Sequence, residues 1–97
     1  MIRSQTYVPT ANGSRYLVQL CKHWGHKFEV VYTPEAGRVP FAPDRACSMA
    51  ADPGGLTLTI EAPDGETATR LEGVVMDHLR RFAFREELPE TPWTRIA

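Results

Sequence analysis

Leu56-Thr57-Leu58-Thr59-Ile60-Glu61-Ala62 alternates apolar and polar side chains along its length. In an extended chain successive side chains point to opposite faces, so Leu56, Leu58 and Ile60 face a core and the threonines face outward. Such a strand needs neighbours along both edges and a layer over its apolar side.

The neighbours are legible as further β-type runs. Residues 2–9 place Ile2, Ser4, Thr6 and Val8 on one side and predict a first strand. Phe28-Glu29-Val30-Val31-Tyr32 is β-rich, Thr33 to Gly37 reads as a turn, and Arg38-Val39-Pro40-Phe41 returns as a short strand. Pro40 confines that piece to an edge. Arg45 to Ala50 is the next strand, joined to the alternating segment by the turn Asp52-Pro53-Gly54-Gly55.

Two amphipathic helices supply the covering layer. Asn12-Gly13-Ser14 offers capping oxygens, and Leu17, Leu20, Cys21, Trp24 and Phe28 follow in one stripe, so helix one spans residues 13 to 25, with Gly25 as its stop. Asp64 caps a second helix that runs to about Phe84, with Ala68, Leu71, Val74, Val75, Leu79 and Phe82 on its apolar face and Met76 on its outer face. Pro89, Pro92 and Trp93 form a tail expected to pack back, with Trp93 over an open edge of the core. The expected element order is β-α-β-β-β-α, an α+β two-layer sandwich with an antiparallel sheet and both helices on one face.

At 97 residues the chain makes one domain, residues 1–97. Lys+Arg 11 against Asp+Glu 12 argues against a dedicated nucleic-acid binder. No window approaches the roughly 20 apolar residues of a membrane span, and residues 1–6 lack an apolar signal core. Cys21 and Cys47 read as buried thiols of a reducing compartment, so the expectation is a cytoplasmic protein. Residues 1–28 carry Arg3, Arg15, Lys22 and Lys27 with no acid, which raises the prospect of a positive patch for an anionic ligand or partner.

Three clusters carry possible chemistry. His78 lies within roughly 20° of Leu71 on the helical wheel and so is expected to point into the apolar face, where its imidazole needs a hydrogen-bond partner. His23 and His26 stand at i,i+3 near the end of helix one, flanked by Lys22 and Lys27; cations there also complement the helix dipole. Their spacing matches no zinc motif, although His23, His26 and His78 together would make a possible iron, zinc or copper site. Asp77, Arg81 and Arg85 form an i,i+4 ladder, either a solvated face or a clamp for carboxylate or phosphate. No Gly-x-Ser-x-Gly elbow and no phosphate-cradling glycine loop occurs, so the residues favour a binding domain over an enzyme.

Cys21-Lys22-His23-Trp24-Gly25-His26-Lys27-Phe28 and Leu71-Glu72-Gly73-Val74-Val75-Met76-Asp77-His78-Leu79-Arg80-Arg81-Phe82-Ala83-Phe84-Arg85-Glu86 resemble two segments of the bacterial domain-of-unknown-function 2218 family. Ser14 to Leu17 and Gly55 to Leu58 also fit, so the resemblance covers essentially the whole chain. Gly25 stands where similar domains tend to carry Ala, which bears on the length of helix one and the direction of His26. The resemblance implies no catalytic residues. Similar domains accompany, and can be joined to, siderophore-interacting flavin reductases, which implies a context of iron acquisition.

The leading expectation is therefore a non-enzymatic accessory domain in siderophore or iron handling. It would bind a small anionic ligand or a partner protein through Lys22, His23, His26, Lys27, His78, Arg81 and Arg85. The partner would be a siderophore-related small molecule or a siderophore-interacting flavin reductase, with no nucleic acid and no membrane. The rival expectations are a transition-metal site at His23, His26 and His78, and a homodimerising module whose hint is Met76.

Overall fold

The alternating segment is strand β5, Gly55–Ala62, at the centre of the molecule. The computed structural model describes residues 1–96. β5 is flanked by β1 (Ile2–Pro9) and β4 (Arg45–Asp52), both antiparallel to it. With β2 (Val31–Tyr32), β3 (Ala36–Ala42) and β6 (Thr94–Arg95) they form one sheet in the order β2-β3-β4-β5-β1-β6. Helices α1 (Gly13–Trp24) and α2 (Gly65–Phe82) lie against one of its faces. The α+β sandwich with an antiparallel sheet is as expected, but the element order is β-α-β-β-β-β-α-β.

The register makes one face continuous. Ser4, Ile60, Cys47 and Val39 stand side by side across four strands, as do Thr6, Leu58, Met49 and Gly37. Over this face α1 buries Leu17, Leu20, Cys21 and Trp24, and α2 buries Ala68, Val75, Met76 and Leu79. Burying a side chain such as Leu79, fully enclosed here, contributes about 1.5–3 kcal/mol. The opposite face stays polar, crossed by Arg38 Nη1 to Glu61 Oε1 at 2.7 Å and Gln5 Nε2 to Thr59 Oγ1 at 3.0 Å. Thr59 is nonetheless buried, because it lies on the central strand between these longer neighbours.

Local signals account for most element ends. Asp52 Oδ1 accepts from the backbone amides of Gly54 at 2.7 Å and Gly55 at 3.0 Å, closing the β4–β5 turn. Asp64 caps α2 by accepting from the Thr67 amide at 2.7 Å. Asn12 does not cap α1: its side chain donates to Glu86 Oε2 at 2.9 Å, while Ser14 Oγ donates to the Pro34 carbonyl. Phe28 to Val30 are not a strand, since the amides of Lys27 and Phe28 turn back to the Trp24 carbonyl. β3 starts two residues before Arg38, and Pro40 lies beyond the reach of the two-residue β2, next to an irregularity in the β3–β4 ladder.

The C-terminal segment changes α2 most. β6 pairs with β1 at Ser4 and Gln5, and Thr6 Oγ1 donates to Thr91 Oγ1 at 2.6 Å. Ser4 Oγ donates to Glu72 Oε2 at 2.5 Å, and the Arg95 guanidinium lies 3.6 Å from the same carboxylate. Trp93 packs partly buried against the core, as expected. Met76, expected on the outer face, is only 6% exposed, because the tail carrying Thr91 and Trp93 comes over that side of α2. The exposed methionine that hinted at a homodimer is therefore absent.

Candidate functional site

α1 and α2 run antiparallel. His23 near the end of α1 meets His78 in α2, while Asn12 before α1 bonds Glu86 beyond α2. The buried rows Tyr16, Leu20 and Leu79, Ala83 lie on the sheet side of the pair. Next to them, nearer solvent, lies a second row that includes His23 and His78.

His78 is half-buried at this seam rather than enclosed in the core. Its Nδ1 lies 2.7 Å from the Val74 carbonyl oxygen, one helical turn back. A carbonyl only accepts, so Nδ1 carries a proton, and in the neutral ring Nε2 is left as an acceptor. The imidazole is thus satisfied on one side and available on the other. Its ring centroid is 5.2 Å from that of His23 and 5.0 Å from that of Trp24. Trp24 in turn meets Phe41 edge-on at 5.2 Å, and Phe28 meets Phe41 at the same distance.

These side chains enclose a cleft of about 510 Å³ lined by His23, Trp24, His26, Lys27, Phe28, Phe41, Val74 and His78. The turn after Gly25 puts His26 and Lys27 on its rim, and the same turn brings Phe28 over Phe41. The walls are mainly aromatic and apolar, and the polar groups are the imidazoles and one ammonium. A hydroxyl can donate to His78 Nε2, and an anionic oxygen can accept from Lys27.

Of the seven residues expected at a site, His23, His26, Lys27 and His78 converge here, whereas Lys22 and Arg81 are exposed outside the lining. Arg85 lies in a neighbouring cavity with Arg15, Tyr16, Gln19, Phe82 and Phe84. No ion pair joins Asp77 to Arg81 among the described residues. Among the described residues, too, no three His, Cys, Asp or Glu side chains are grouped to hold a metal ion. Cys21 and Cys47 are free and buried; burial pushes Cys21 up to about 11 and Cys47 up to about 12, so both stay protonated at neutral pH. Trp24, Phe28 and Phe41 were legible as apolar positions but carried no signal of a cleft, since their meeting depends on how β3 lies against the end of α1.

An antiparallel sheet with two helices on one face, and an aromatic cleft between the helices and β3, define a small α+β domain. It belongs to the DUF2218 family, described as an uncharacterised protein conserved in bacteria, which matches residues 5–94. Among solved structures it is similar to PA4090 from Pseudomonas aeruginosa, determined by NMR, with 42% identity over 97% of this chain and 96% of that one and a TM-score of 0.81. No curated protein matches the chain. No helix is long and apolar enough to cross a membrane among the described residues.

Proposed function

We propose that this domain is a non-enzymatic binding module whose cleft between α1, α2 and β3 holds a small anionic ligand with a flat apolar portion. The observation that carries the reading is the convergence of His23, His26, Lys27 and His78 on a cleft walled by Trp24, Phe28 and Phe41. Aromatic walls favour a planar group, and a few placed polar groups orient it. The siderophore context implied by the family resemblance makes a ferric catecholate, which is anionic, aromatic and rich in oxygen, the first ligand to try. Titrating isotope-labelled protein with a ferric catecholate and a ferric hydroxamate, followed by amide shifts, tests this. The expected result is saturable shifts at His23, Trp24, Phe41 and His78 with the catecholate, weakened at least tenfold by His78→Phe. Unmoved cleft amides with both compounds would refute the siderophore assignment.

A further inference from the structure

A second cavity follows the cleft along the seam between the helices. On the solvent-facing side of α1, Arg15, Gln19 and His23 follow each other at four-residue steps, and His78 and Phe82 of α2 and Arg85 of the turn after it face them. The His23 and Phe82 rings touch edge-on at 5.9 Å and form the boundary between the aromatic cleft and a second cavity of about 150 Å³. That second cavity is lined by two arginines, Arg15 and Arg85, neither of them in an ion pair among the described residues; the Arg85 guanidinium stands 5.4 Å over the Phe84 ring. Glu86, next to Arg85 in the chain, already accepts from Thr10 and Asn12. Gln19, on the wall of this cavity, has a shielded side-chain oxygen with no hydrogen-bond partner among the described residues. Two guanidiniums without a carboxylate partner among the described residues leave this groove positive and suited to an anion.

We infer that the ligand is bipartite: a planar aromatic head in the His23–His78 cleft, and a carboxylate or other oxyanion about 12 Å away between Arg15 and Arg85. The spacing is the eight-residue rise of α1 from Arg15 to His23 at about 1.5 Å per residue. A planar guanidinium fork suits a carboxylate. This inference rests on the binding reading above and specifies the second half of the same site.

The test uses full-length protein and three probes: phenylacetate, phenyloctanoate and uncharged phenyloctanol. Phenyloctanoate is expected to bind roughly tenfold more tightly than phenyloctanol, as one charge-assisted contact implies. It should shift the amides of Arg15, Gln19 and Arg85 in addition to those of the cleft. The double exchange Arg15→Ala, Arg85→Ala should bring the acid down to the alcohol's affinity and leave phenylacetate unchanged. Arg81→Ala, outside both cavities, should preserve the ratio. Equal affinity of acid and alcohol, or a ratio untouched by the double exchange, overturns the bipartite site while cleft shifts with phenylacetate uphold the binding reading. Silence of the cleft amides with every probe overturns both.

Discussion

Glu86 offers the sharpest check on how the two helices are held together. Its carboxylate accepts from Thr10 Oγ1 at 2.6 Å and Asn12 Nδ2 at 2.9 Å, so the segment after α2 grips the start of α1. The Thr10 contact, then the Asn12 and Tyr16 contacts, hold its carboxyl below the ordinary value despite partial desolvation. Glu86→Gln keeps the shape and removes the charge. A hydrogen bond to a charged group contributes about 1.5–3 kcal/mol, and partial exposure discounts that, so the variant should lose about 1–2 kcal/mol at pH 7. For a domain of this size that is a fall of about 5–10 °C in Tm. A carboxylate whose folded pKa is depressed stabilises fully above its unfolded pKa, near 4.3, and loses that stability as pH falls through the folded value. The gap between the two proteins should therefore be full at pH 7 and close below about pH 4. Urea denaturation by circular dichroism at pH 7, 5 and 3 measures it. A gap under about 0.5 kcal/mol at pH 7, or one unchanged at pH 3, would refute the clasp.

Leu79→Ala empties a fully buried position on α2 and should cost about 2–5 kcal/mol in the same assay; a loss below 1 kcal/mol would contradict the packing. Gly37→Ala puts a methyl 2.8 Å from Cys21 Sγ and 3.2 Å from Tyr32 Cβ and should cost about 1–3 kcal/mol, with part of the loss recovered in the double variant with Cys21→Ala. Cys21 and Cys47 should resist a disulfide reagent at pH 8 in the folded protein and react rapidly in urea, and fast reaction of the native protein would refute their protonated, enclosed state.

What the residues disclosed in advance was what they could disclose alone. The Leu56–Ala62 alternation, the Asp64 cap and the Asp52 turn each act within a few residues, so the strand, helix start and hairpin were legible. Asn12 looked like a cap until Glu86, 74 residues away in sequence, claimed its side chain. Met76 lay outside the apolar arc of an isolated helix, and only a tail returning across the molecule brings it inside. The site was half-legible for the same reason. His23 and His78 stood out on separate helices, but their 5.2 Å approach depends on where the two helices cross. Arg81 and Arg85 share a helix face on paper, yet only Arg85 reaches a cavity shared with α1.

The position of β1 in the sheet has a kinetic consequence. β3, β4 and β5 follow one another through short turns, so their pairing is local and quick to nucleate. β1 precedes these strands in the chain yet docks between β5 and β6, pairing Val8 with Leu56 and Ser4 with Arg95. Both of its partners lie far along the chain, so its pairing carries a larger loop-closure cost than the β3–β4–β5 hairpins. Docking of β1 between two distant strands is thus the late, order-dependent event in assembling the sheet.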